Sequence, residues 1–287
     1  MTTNSTHPSG RGILLMSIAM LTVPIVDGTA KYLSTEHSPL FIAWARYASA
    51  SLFVLPLAFW LHGRAILPTE GRPVHLLRTI FLVSAMTLYF LALARIPIAQ
   101  AVSAYFTGPV VAVALSVLVL REAMTRRKAL SLALGFAGSL VVLRPTSDVD
   151  VGLLLAFGAG VFFALYLVTT RQASLGSDPI KVLTFQCVVG TLLLTPQAMA
   201  TVSPPQTEML WLFAVLGIFS VFSHMLTILA FRLADASTLS PLVYLELVGS
   251  TIIGFIVFTE IPATRTVLGA ALIVGGGLVL TKRRKKV

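Results

Sequence analysis

A small set of ionisable and aromatic side chains lies inside stretches too apolar to solvate them. Asp27 and Lys31 stand one helical turn apart in one such stretch, and Arg46 lies at a similar depth in the next. An ionised group at membrane depth costs on the order of 3 kcal/mol or more unless it is paired or wet. Two chemistries fit this trio. One is an ion pair of Asp27 with Arg46 or Lys31 that pins neighbouring helices, and the other is a cradle for the ammonium and carboxylate of a zwitterion. Glu246 falls about ten residues into a run of about 23, where a carboxyl group is either protonated or hydrogen-bonded. It is positioned to trade a proton, to meet a cation, or to bond a neighbouring helix. His224 has Ser220, Ser223 and Thr227 nearby. It fits a hydrogen-bonded packing role, and its ordinary pKa of ~6.5 also suits a proton relay. Tyr89, Tyr105, Tyr166 and Tyr244, with Phe106 and Phe163, can stack a flat ring or simply pack.

The elements that must hold these groups follow from composition. Apolar residues make up 56% of the 287-residue chain and charged residues 11%, against ~45–50% and ~25% in globular proteins. Apolar runs of spanning length lie at about 12–33, 39–61, 74–94, 97–120, 127–143, 151–170, 179–198, 209–231, 236–258 and 265–281. They are continuous and not alternating, so they predict ten transmembrane helices and not a barrel. The first run is too long for a signal h-region and carries Asp27 and Lys31, so it reads as a retained helix. Trp60 and Trp211, at run ends, read as interfacial anchors.

The net charge of +10 comes from short basic clusters between runs, not from a stripe, which argues against nucleic acid. Walking the loops alternately puts Arg11, Arg64, Arg72, Arg78, Arg121, Arg126, Arg127, Lys128, Arg171, Lys181, Arg232 and the tail Lys282, Arg283, Arg284, Lys285 and Lys286 on one side. Lys31, Arg46, Arg95, Arg144 and Arg265 remain. The positive-inside rule then predicts cytoplasmic termini in an inner, plasma membrane. Cys187 is the single cysteine, which excludes a disulfide framework and a thiolate metal site. No His-Glu-x-x-His or Gly-x-Ser-x-Gly pattern and no strand-borne glycine loop is present, so neither an enzyme nor a cofactor or metal is expected.

The chain also repeats. A shift of 140 residues superposes Gly12 on Gly152, Lys31 on Arg171, Ser38-Pro39 on Asp178-Pro179 and Pro56 on Pro196. A shift of 138 superposes Phe106 on Tyr244, Gly108 on Glu246, Glu122 on Glu260 and Gly138 on Gly276. The reading is a tail at 1–11, a first repeat at 12–144, a second at 150–281 and a basic tail at 282–287. Each repeat has five helices, so the second enters from the opposite side, a recurrent build of secondary transporters.

The Asp27-to-Leu33 helix end followed by Pro39 and Arg46, the Pro109-Val110 stretch, and Glu122 and Glu260 closing the fourth and ninth runs resemble the drug/metabolite transporter superfamily, in its ten-helix EamA-type branch. The chain departs from that pattern at Leu247, where the branch often has a proline matching Pro109. The resemblance implies two inverted five-helix bundles around a central cavity lined by the first, third and fourth helices of each half. It implies alternating access for a small organic solute, amino acids exported with aromatic ones first. Another metabolite or drug, riboflavin-like, nucleoside-like or cationic, is the alternative, and a channel or scramblase a second. Candidate contacts are Asp27, Lys31, Arg46, Tyr89, Tyr105, Gly108, Tyr166, His224, Tyr244 and Glu246. Protons are the candidate coupling ion, and a monomer in lipid is expected.

The orientation is checked with single cysteines in a Cys187→Ser background. A cysteine at 147–149 should label from outside intact cells and one placed after Lys282 should not. The reverse pattern overturns the topology.

Overall fold

The computed structural model describes residues 10–93, 95–96, 101, 104–143, 151–201, 207–258, 261 and 264–281. Among these the regular structure is helical: α1 (Gly10–Leu33), α2 (Pro39–His62), α3 (Arg72–Leu93), α4 (Gly108–Val119), α5 (Arg126–Leu143), α6 (Val151–Gly176), α7 (Pro179–Ala200), α8 (Leu210–Leu233), α9 (Leu245–Phe258) and α10 (Thr264–Thr281). Seven segments are long and apolar enough to cross a membrane, counting α9 together with the turns before it, while α4 and α10 give shorter apolar helices. The eighteen-residue α5 opens on Arg126, Arg127 and Lys128. Trp60 and Trp211 are 81% and 63% exposed, as befits anchors at helix ends.

Local starts follow the repeat. Pro39 and Pro179 each occupy the first turn of their helix, where a missing N–H costs nothing. Asp178 adds a cap, its Oδ1 accepting from the Ile180 and Lys181 amides at 3.0 and 3.3 Å.

The main helix pairings join one half to the other: α1 with α8, α3 with α6, α2 with α7, and α5 with α10. These pairings are reciprocal under exchange of the halves, the mark of a two-fold relation. Individual residues obey it too. A β-carbon on Gly138 would come within 2.7 Å of the Gly269 carbonyl oxygen, and one on Gly276 within 2.9 Å of the Ser131 oxygen. Gly12 packs on Ala234 as its mate Gly152 packs on Ile96. Phe106 and Tyr244, also mates, meet with ring centroids 5.7 Å apart, and the Tyr244 hydroxyl donates to the Phe106 carbonyl at 3.0 Å.

Two features go beyond the pattern of runs. The fourth and ninth runs are not single straight helices. Phe106 and Thr107 form a turn ahead of α4, and a short helical turn (Ala236–Leu239) and a 3₁₀ stretch (Ser240–Tyr244) with Pro241 precede α9. Nor are α1 and α2 a packed pair, since α1 lies mainly against α8 and α9. Interlocking of the halves outweighs adjacency along the chain.

Gly160 is closed in by the Tyr105 carbonyl oxygen, 2.6 Å from where a β-carbon would sit, whereas Gly158 on the same helix would meet only Leu88 at 3.6 Å. Gly160→Ala should therefore lower stability by about 1–3 kcal/mol. Gly158→Ala should be neutral or slightly stabilising, because alanine suits a helix better by ~1 kcal/mol. Melting of the two variants in detergent checks the contrast.

Candidate functional site

Asp27 is the first sign of an internal polar space. Its helix shows lipid an apolar stripe of exposed Leu14, Ile18 and Leu21. At 3.6 residues per turn Asp27 stands roughly 150° round from that stripe, yet it is exposed. An exposed acidic residue on the side of a helix turned away from lipid points to a recess between the helices there. Glu246 faces the same space from the other half. It lies in the first turn of α9, half-buried, with exposed Ser250 one turn on, on the side turned away from lipid-facing Ile252, Phe255 and Ile256. The polar residues Ser237, Ser240 and Tyr244 are buried. The face of the ninth segment that meets the cavity is therefore that of Glu246 and Ser250. The break at Ser240–Tyr244 makes this possible, because it places Glu246 at a helix N-terminus, where the helix dipole favours an acidic group.

Arg46 is close enough to Asp27 and Glu246 for all three to interact electrostatically. Tyr89 and Tyr105 lie in the field of both acids. Arg46, one of the two partners that the sequence offers Asp27, makes no direct ion pair with it. The Arg46 guanidinium instead donates through Nε to Ser220 Oγ at 3.0 Å and through Nη2 to His224 Nε2 at 3.3 Å, with Met86 Sδ at 3.9 Å from Nη1. Guanidinium is donor-only, so His224 Nε2 must accept and the ring proton sits on Nδ1. That nitrogen is 3.4 Å from the Tyr166 hydroxyl, completing a chain from α2 through α8 to α6. An aromatic wall adjoins it: Tyr89 to Tyr105 at 5.0 Å, Tyr105 to Phe163 at 5.1 Å, and Phe163 stacked on Tyr166 at 5.9 Å.

Of the residues singled out from the sequence, Asp27, Arg46, Tyr89, Tyr105, Tyr166, His224 and Glu246 thus come together. Gly108 and Tyr244 do not line the space. A β-carbon on Gly108 would lie 2.8 Å from the Gly160 carbonyl oxygen, so this glycine serves helix contact, and Tyr244 is fully buried against Phe106 and Gly135. The side chain of Lys31 and the whole of Glu260 lie outside the described residues.

Sequence reasoning missed Arg78. Counted with the loop charges, it is in fact fully buried six residues into α3, beneath the ring of Tyr166. Its place inside the run 74–94 was the available signal; counting basic residues by loop hid it.

Glu122 closes the fourth run and caps a helix start, though not one in its own half. It reaches into the other half instead, its two oxygens accepting from the Ala236 amide at 3.0 Å and the Ser237 amide at 2.7 Å. Asp235 joins the cluster through Arg171 at 3.3 Å and Lys128 at 3.1 Å, and Lys128 also donates to Ser237 Oγ at 2.7 Å. The two halves are therefore tied together by charge at the basic end of the bundle, while Asp27 and Glu246 stay reachable within it.

Reciprocal five-helix halves, polar groups between them and a charge-tied end fit a polytopic membrane transporter. The chain belongs to the EamA-like transporter family, whose model matches it twice, over residues 10–144 and 150–282. It is 29% identical over 276 residues to the S-adenosylmethionine uptake transporter of Rickettsia prowazekii, covering 96% of this chain and 94% of that one. It is 30% identical to the riboflavin transporter of Vibrio cholerae, covering 93% and 91%. It is 25% identical to the pseudopaline exporter of Pseudomonas aeruginosa, covering 96% and 97%. A crystal structure at 20% identity superposes with a TM-score of 0.82 over 95% of this chain and 97% of its own, which shows the fold. Family and relatives are transporters and not enzymes.

Glu122→Ala would leave the Ala236 and Ser237 amides without their acceptor and Arg171 with one acid fewer. It should cost about 1–3 kcal/mol. Combined with Arg171→Ala the loss should fall short of the sum, because the two residues share one network. Full additivity in melting or denaturant titration would argue against the cluster.

Proposed function

We propose that this transporter carries a small organic solute with a flat ring and an amino-acid head group, in the chemical class of S-adenosylmethionine. The observation that carries the reading is a solvent-reachable pair of carboxylates, Asp27 and Glu246, set near one arginine, Arg46, and beside a tyrosine-rich wall. Two acids suit two cationic centres, such as an ammonium and a sulfonium. Arg46 suits a carboxylate, and Tyr89, Tyr105 and Phe163 suit a ring. Aromatic amino acids, expected from the sequence, are the smallest solutes of this kind, but they leave one acid unmatched, and none of the three relatives above is named for amino-acid export. Riboflavin would use the wall and neither acid. The basic end is the cytoplasmic one in this reading, and solute exchange follows from rocking of one half against the other.

Glu246 also serves in this reading as the group that trades a proton or meets the cation during the cycle. Thermal stabilisation of the purified protein by S-adenosylmethionine, riboflavin and phenylalanine ranks the solutes, since a ligand at 100 times its Kd stabilises by ~2.7 kcal/mol. S-adenosylmethionine should lead, with saturable counterflow in proteoliposomes distinguishing a carrier from a channel or scramblase. Glu246→Gln should keep the wild-type melting behaviour and abolish or uncouple transport. Wild-type rates and pH dependence in that variant would remove Glu246 from the mechanism.

A further inference from the structure

Arg78 has no evident task in the cavity, and its surroundings are incomplete. Both it and Gln186 on α7 are 0% exposed. Its Nε donates to Thr170 Oγ1 at 2.9 Å and its Nη2 to Gln186 Oε1, while the guanidinium carbon sits 5.4 Å from the centre of the Tyr166 ring. All three partners are neutral, and among the described residues no carboxylate pairs with it. A sealed cation without a counter-ion is costly, and so is a buried donor without an acceptor. Here two such donors occur on hydrogen-bonded neighbours, since Arg78 Nη1 and Gln186 Nε2 both lack a partner. The amide cannot be turned to relieve this, because its oxygen must face the guanidinium. Together the two nitrogens offer four N–H bonds and a positive charge with nothing to receive them.

We infer that Arg78 and Gln186 form an occluded carboxylate-binding site, empty of an anionic partner from the protein itself and reached when the basic end of the bundle opens. Tyr166 links it to the cavity: its hydroxyl meets His224, which bonds Arg46, and its ring lies against Arg78. Arg46, half-buried beside the cavity, and Arg78, sealed from it, are then successive stations for one carboxylate. That this carboxylate belongs to the transported solute rests on the function proposed above. That the site binds a carboxylate does not.

The test uses full-length protein in nanodiscs, unfolded thermally across a titration of sodium formate at constant ionic strength with sodium chloride, whose anion lacks the paired oxygens of a carboxylate. Wild type should show a saturable rise in melting temperature. Its apparent formate affinity should weaken at least tenfold in Arg78→Gln and less in Arg78→Lys, which keeps the charge and loses the fork. Gln186→Leu retains the arginine and serves if Arg78→Gln does not fold; it too should weaken formate binding. A purely structural arginine predicts a lower melting temperature in Arg78→Gln at every formate concentration with an unchanged response to formate. That result, or no response in wild type, overturns the site. Counterflow of S-adenosylmethionine against its decarboxylated form separates the two proposals. A formate response that depends on Arg78 without transport of either compound sinks the solute assignment and keeps the site. Transport of S-adenosylmethionine at equal rates in wild type and Arg78→Gln, with no formate response, does the opposite.

Discussion

Five is an odd number, and a chain that crosses a bilayer five times ends on the side opposite its start. A second copy of the same five helices must then run inverted, and the faces that each half leaves unsatisfied can only be covered by the other. The observed pairings have this form: α1 takes α8 and α3 takes α6, while α2, α5 and their mates α7 and α10 close on one another. Small residues let the halves approach closely, as at Gly138 with Gly269 and Gly276 with Ser131. In lipid, where helices gain little from hydrophobic association, such close contact is a principal source of cohesion.

The same constraint decides where charge can be placed. Water is absent from the hydrocarbon region, so each ionisable group needs either a partner or a hollow. Both solutions occur here. Glu122, Lys128, Arg171 and Asp235 satisfy each other and the backbone start at Ala236 and Ser237. Asp27 and Glu246 are left facing a space that solvent reaches. Arg46 stands between these regimes, bonded to Ser220 and His224 yet within the field of both acids. Arg78 is the exception, sealed with neutral partners and one nitrogen unmatched.

Irregular backbone works with this arrangement. The turn at Phe106–Thr107 and the 3₁₀ stretch at Ser240–Tyr244 fall at related places in the two halves, where Phe106 and Tyr244 meet. Broken helices at the centre of a carrier free backbone groups and present helix N-termini to the interior. In the second half that terminus carries Glu246.

Much of this was legible in the sequence, for a physical reason: a bilayer imposes one length and one polarity on every span, so composition and run length alone define helices, and internal matches define the repeat. The correspondences of Gly12 with Gly152 and of Phe106 with Tyr244 reappear as reciprocal contacts. Asp27, Arg46, His224 and Glu246 were visible because charge in an apolar run is costly wherever it lies. Tertiary structure alone decided the partners, since side chains from helices of opposite direction converge by packing and not by spacing. It gave Arg46 to His224 and not directly to Asp27, sent Glu122 across to Ala236, and turned Gly108 into a helix contact. It also took Arg78 out of the loop charges and buried it under Tyr166, because depth along a helix axis depends on where neighbouring helices end, and no single run records that.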